Sequence, residues 1–363
     1  MLESFFGLCY TLENGRLFAL FFNMLRRTVQ FPAGMAREDE LSGDLRKKMK
    51  RKARRAGETL LVRTLTALAA TLPRRTGLPL FELLGDVAWR CYPGDRRRAV
   101  RNVSLALPGT PGILAEAIAR GSFKALGRNV RDALSLTRAS SEDVLSLCSV
   151  SGEEHLRSAW ERGRGVVALT GHIGCWELLG AWCSARGYEV SVIASRLKHG
   201  TLDRMLTGFR ARHGIETIHR GRCAVSGLRA LERGGVLGIL IDQDTGDDGV
   251  FTDFFGVQAF TPTGPAFFAL RSGAAIVPLA IHMKPGGGHE ITVMPEIEKP
   301  PAHLPEEERI RILTADCSAA VERMIRLYPQ QWVWFHDRWR RRPEDVAEKD
   351  KSGYLDIGRT GTG

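Results

Sequence analysis

The chain has 363 residues, with 52 Lys+Arg against 41 Asp+Glu, a formal charge of +11 and 44% hydrophobic residues. That composition is globular and long enough for one large domain or two ordinary ones, and it excludes a disordered chain. The seven cysteines include no C-x-x-C pair, which argues against a zinc ribbon and a secreted disulfide scaffold. The surplus of positive charge calls for an acidic partner: nucleic acid, an anionic membrane or a phosphorylated substrate.

Residues 1–58 read as an N-terminal extension. It holds an apolar stretch, Leu17 to Leu25, and eight basic residues within the ten positions 46–55. Such a run is either a solvated linker or a polybasic flank for an anionic leaflet, at about 1 kcal/mol per charge near the surface. Nucleic acid is disfavoured, because no zinc finger, RNP motif or helix-turn-helix accompanies the charge. Residues 59–150 read as a helical, membrane-associating region. Leu60, Leu61, Leu65, Leu68 and Leu72 recur at helical spacing, but Arg63 and Pro73 leave the stretch too short for an ordinary membrane span. Ala99 to Leu107 and Leu114 to Leu136 continue the helical pattern, punctuated by Pro108-Gly109 and Pro111-Gly112.

From about residue 151 to 345 short apolar runs alternate with helical segments. Gly165–Thr170, Glu189–Ala194, Val236–Ile241 and Ala275–Ile281 read as strands, with a further alternating run at His289–Pro295. Trp176–Ala185, Leu202–Arg212, Val225–Arg233, Pro265–Arg271 and Glu306–Leu327 read as helices. The alternation predicts an α/β core with a mostly parallel central sheet flanked by helices, preceded by the N-terminal helical region. Residues 346–363 read as a flexible tail.

Active groups gather at the carboxyl ends of strands in such sheets. There stands Gly171-His172-Ile173-Gly174-Cys175-Trp176-Glu177. His172 on the turn and Glu177 in the first turn of the next helix make a candidate base in which a carboxylate fixes the imidazole tautomer. No G-x-S-x-G elbow occurs, which disfavours an α/β-hydrolase, and nothing marks Cys175 as a thiolate. A bare H-x4-E also arises by chance, as a structural histidine beside a surface glutamate. The nine histidines form no ligand-spaced set, so neither a metal nor another cofactor is expected.

Further blocks accompany it in order: Ala194-Ser195-Arg196; Asp242-Gln243 through Phe254-Phe255-Gly256 to Thr261; and Gln331-Trp332-Val333-Trp334-Phe335-His336 through Arg338-Trp339 to Arg342-Pro343. With Arg101-Asn102 to Pro108 they resemble the late acyltransferases of lipid A biosynthesis, the lauroyl/myristoyl type, over about residues 60–345. Cys175 departs from the Asn usual in that family, and Asp337 from a basic residue. The resemblance implies a glycerolipid-acyltransferase-like fold on the cytoplasmic face of the inner membrane. The donor is then acyl carrier protein and the acceptor a hydroxyl of a phosphorylated lipid A precursor. His172 is the general base and Glu177 its orienter. Arg196 serves the oxyanion or a phosphate, and Asp242 and Gln243 shape the acceptor side. The competing expectations are an acyl-CoA-dependent enzyme for another glycolipid such as a phosphatidylinositol mannoside, a hydrolase releasing free fatty acid, and an inert membrane-surface binding protein. Trp332, Trp334 and Trp339 read equally well as an interfacial aromatic cluster or as a packed C-terminal element.

Overall fold

The computed structural model describes residues 43–344 apart from 197–199, 222 and 246–248, and leaves the side chains of 43–55, 58 and 201 undescribed. The Leu17–Leu25 stretch, the tail at 346–363 and the side chains of the basic run lie outside what is described.

Among the described residues four helices come first: α1 (Gly43–Thr71), α2 (Arg74–Cys91), α3 (Pro93–Ala106) and α4 (Gly112–Ser135). Helix α1 is continuous across residue 58 and is about 43 Å long at 1.5 Å per residue. Of the leucines at helical spacing, Leu65 and Leu68 pack on the core together with Val62, while Leu60 is exposed. Helices α2 and α4 touch backbone to backbone. A Cβ at Gly85 would meet Phe123 O at 2.2 Å, and one at Gly127 would meet Phe81 O at 2.0 Å.

The core continues with α5 (Ser141–Leu147), β1 (Cys148–Ser151), α6 (Glu153–Glu161), β2 (Val166–Thr170), α7 (Trp176–Ala185), β3 (Val190–Ala194), α8 (Gly200–Arg212), β4 (Glu216–His219), α9 (Cys223–Glu232) and β5 (Val236–Leu240). A hairpin follows, β6 (Gly249–Phe254) and β7 (Val257–Pro262), then α10 (Gly264–Ser272), β8 (Ala275–Met283), β9 (His289–Val293) and α11 (Glu306–Leu327). The seven-stranded sheet has the order β1-β9-β8-β2-β5-β3-β4. Strands β8, β2, β5, β3 and β4 run parallel to one another, and β9 runs antiparallel to β8. This is the mostly parallel α/β sheet the alternation predicted. All nine residues of β8 and all five of β2 are buried, which is why these strands appear in the sequence as unbroken apolar runs.

The helical region is tied to the sheet through Asp132 of α4. Its carboxylate accepts from Arg74 at 2.8 and 3.2 Å, from Arg131 at 3.0 Å and from His289 of β9 at 2.8 Å. Burial alone would raise this carboxyl; the hydrogen bonds and charges of His289 and Arg74 outweigh it and hold Asp132 well below the usual carboxylate range. After α11 the chain passes through a 3-10 turn at Pro329–Gln331 and a run of turns, with an isolated antiparallel bridge between Trp332 and Ile173. Asn102 of α3 clamps this segment by donating to Trp334 O at 2.8 Å and His336 O at 2.7 Å. Trp332 and Trp334 are fully buried against Phe254 and Phe255, so these tryptophans are packed core.

Candidate active site

Strand register builds the site. Thr170 of β2 lies opposite Leu240 of β5, so His172 and Asp242 each stand two residues past the same rung. His172 Nδ1 donates to Asp242 Oδ1 at 2.7 Å, and the His172 peptide N–H donates to Oδ2 at 2.7 Å. The Trp332 indole N–H gives Oδ2 a further bond at 2.6 Å. The carboxylate comes so close over the turn that a Cβ on Gly171 would stand 3.0 Å from Oδ2. Gly174 has φ +57, and a Cβ there would meet Ile281 O at 2.0 Å; only glycine turns the chain into α7 at this point.

Asp242 and His172 are 1% and 3% exposed. Burial pushes the Asp242 carboxyl up, but the charge and hydrogen bond of His172, joined by the Trp332 indole and the His172 peptide N–H, hold it down at about 2. The aspartate is thus ionised and acceptor-only. It fixes the His172 tautomer with the proton on Nδ1 and leaves Nε2 as the basic nitrogen.

This corrects the expectation for Glu177. Its carboxylate does not meet His172. It takes both Nε (3.0 Å) and Nη2 of Arg210 from α8, and both side chains are largely buried, at 6% and 13% exposure. Burial would lower the Arg210 pKa; the Glu177 charge and hydrogen bonds raise it instead. The carboxylate bonded to His172 is that of Asp242, the residue expected on the acceptor side. Gln243 is buried beside it. Arg196 is exposed at the carboxyl end of β3. Cys175 is buried with its Sγ on Asn129 O, and burial raises its pKa well above the ordinary thiol value, as suits an inert thiol.

His172, Glu177 and Arg210 stand at one end of a narrow cavity of about 80 Å³ between the sheet and helices α7 and α8. The strands supply its floor in rungs. One rung is Ala168, Gly238, Val192 and Thr217; the next, toward His172, holds Thr170 and Leu240, with Ala194 and His219 beyond. Leu179 and Cys183 of α7, Leu206 of α8, Val190, Ile215 and Val236 close the far part with apolar surface. Phe254 and Phe255 take no part in this lining and are 1% and 3% exposed.

The site is thus a buried His–Asp pair beside a mostly apolar cavity at the carboxyl ends of parallel strands. The sequence profile described as bacterial lipid A biosynthesis acyltransferase matches residues 45–341. The chain belongs to that family, and it is an O-acyltransferase acting on a lipid. It is similar to the phosphatidylinositol mannoside acyltransferase of Mycolicibacterium smegmatis, with 26% identity over 68% of this chain and 80% of the relative. It is equally similar to the lipid A biosynthesis lauroyltransferase of Escherichia coli, 26% over 73% of this chain and 86% of the relative. The Escherichia coli lipid A biosynthesis palmitoleoyltransferase is 25% identical over 68% and 80%.

Proposed function

We propose that the chain moves a fatty acyl group from an acyl carrier protein thioester to a hydroxyl of a lipid A precursor, at the cytoplasmic face of the inner membrane. The observation that carries this reading is the 2.7 Å bond from His172 Nδ1 to Asp242 at the mouth of the apolar cavity. The acyl chain occupies the slot beneath α7 and α8, with its thioester beside His172. The acceptor hydroxyl gives its proton to Nε2 and attacks the thioester carbon directly. Asp242 steadies the imidazolium while it lasts, and the departing thiolate takes that proton back. General-base action of this kind contributes about 10²–10⁴-fold. Glu177 acts at one remove, by holding Arg210 and with it α8 against the cavity.

Attachment to the membrane is peripheral in this reading. Among the described residues no helix is long and apolar enough to cross a membrane. The helical region presents Leu83, Val87, Leu105, Ile113 and Leu114 to solvent, and the basic run at 46–55 lies on the same helix, α1, that packs on the core. Exposed apolar side chains and a basic run in one helical region suit an anionic leaflet.

A second reading, a phosphatidylinositol mannoside acceptor with acyl-CoA as donor, is favoured by the equal identity to the mycobacterial relative. A two-by-two assay separates them. Purified chain is given labelled acyl carrier protein or acyl-CoA, with lipid A precursor or phosphatidylinositol mannoside as acceptor, and the products are read by mass spectrometry. Gain of one acyl group by the lipid A precursor supports the first reading. Acylation confined to the mannoside overturns it in favour of the second.

A further inference from the structure

Within the acyl cavity three buried polar atoms have no hydrogen-bond partner among the described residues: Thr170 Oγ1, Thr217 Oγ1 and His219 Nδ1. Two of them belong to the edge strand β4. With the order β2-β5-β3-β4 and about 4.8 Å between strands, β4 lies roughly 14 Å from β2 and out of reach of chemistry at His172. Thr170 is different. It is the last residue of β2 and stands two positions before His172. Both residues line the same cavity. A buried hydroxyl without a partner costs about 1–3 kcal/mol, so its presence beside the reacting centre needs a reason.

Neither arginine near this end of the sheet is placed to meet the oxyanion. Arg210 turns two of its N–H groups to Glu177, and Arg196 is exposed and does not line the cavity. We propose that Thr170 is a catalytic residue whose Oγ1–H donates to the thioester oxygen and stabilises the oxyanion of the tetrahedral intermediate. This rests on the acyl-transfer reading above. In the step concerned the acceptor O–H proton goes to His172 Nε2 and the acceptor oxygen bonds to the thioester carbon. The C=O π pair moves onto oxygen, where the Thr170 hydroxyl meets it. On collapse the pair returns, the C–S bond breaks, and the thiolate takes the proton from His172 to leave as thiol. The hydroxyl has no partner among the described residues, so in this proposal its hydrogen bond is made with substrate and strengthens as charge develops. That is the arrangement that accelerates the chemical step.

The test uses the full chain in the transfer assay with a medium-chain acyl thioester and either glycolipid acceptor. Thr170→Val keeps the shape and removes the hydroxyl; Thr170→Ser keeps the hydroxyl. The expected result is a fall in kcat of about 10²-fold for Val, with the donor KM unchanged. Ser recovers most of the lost rate. The melting temperature of Val stays equal to or above the wild-type value, because a partnerless hydroxyl has been removed. Wild-type kcat in Val overturns the inference. So does a rate loss that Ser does not rescue, or one that follows a lowered melting temperature, which marks a packing role. A wild-type chain that transfers to neither acceptor removes the acyl-transfer reading itself, which keeps the two failures distinct.

Discussion

Replacing Asp242 by Asn tests the His–Asp pair at its most sensitive atom. The carboxylate serves three donors: His172 Nδ1, the His172 peptide N–H and the Trp332 indole. Asn offers one acceptor oxygen. If that oxygen stays with the two donors on the Oδ2 side, its amide N–H group faces Nδ1 and turns the imidazole into the tautomer with the proton on Nε2, which cannot act as base. Charge is lost as well. At about 4 Å between charge centres and an effective dielectric of about 20, the carboxylate stabilises an imidazolium by about 4 kcal/mol. Tautomer and charge together put the loss in kcat at about 10³-fold or more. The assay is steady-state acyl transfer from a labelled thioester, run at saturating donor, with circular dichroism to verify folding. A folded Asp242→Asn enzyme within about tenfold of wild-type kcat refutes the assignment.

The buried Glu177–Arg210 pair makes the opposite kind of prediction. Glu177→Gln strands a cation that is 13% exposed, so stability should fall by about 3–5 kcal/mol, read by chemical denaturation; unchanged stability with abolished kcat would restore Glu177 to the role of orienter. Asp242, held at about 2, and Asp132, also lowered, have depressed folded values. Because the unfolded carboxyls, with pKa near 3.9, bind protons first, the stability they give is complete above about pH 4 and is lost as pH falls toward about 2. Melting curves should show that slope, and Asp132→Asn should flatten part of it. Gly180 of α7 lines the cavity, and a Cβ there would stand 3.5 Å from Ile215 Cδ1. Gly180→Leu should fill the slot and shift donor preference to shorter acyl chains in a competition assay, whereas an unaltered chain-length profile would move the acyl group out of this cavity.

Much of the scaffold is legible in the sequence where burial or caps leave a periodic trace. The helices at Trp176–Ala185 and Glu306–Leu327 have the bounds that the pattern predicted, and the strands β2, β3, β5 and β8 agree within two residues at each end. The hairpin β6–β7 left no such trace. Its turn is made by Phe255 at φ +60 and Gly256 at φ +76, and Phe is not a residue that advertises a left-handed turn. What holds it is tertiary. Phe255 packs on Trp332 and Trp334, and its N–H donates to Glu322 of α11 at 2.6 Å.

The site was half legible, for a related reason. His172 stands out because it follows a buried strand and opens a helix. Its partner does not, because spacing along the chain favours Glu177, five residues away, over Asp242, seventy residues away. Parallel pairing of β2 with β5 reverses that order: the Thr170–Leu240 rung aligns the two polar residues that follow. Helix geometry meanwhile carries Glu177 toward α8. The available signal was two apolar strands with a polar residue at the same offset past each end. Using it requires knowing that those strands are neighbours. Arg210 offers no signal, being one arginine among several on α8.

The central claim is that His172, steadied by Asp242, moves an acyl group from a thioester onto a lipid hydroxyl. The direct measurement is the intact mass of the glycolipid acceptor after incubation with thioester donor and either wild-type chain or His172→Ala. The account predicts one added acyl group with the wild type and none with the variant at equal enzyme. Equal acylation of the acceptor by both proteins would contradict it.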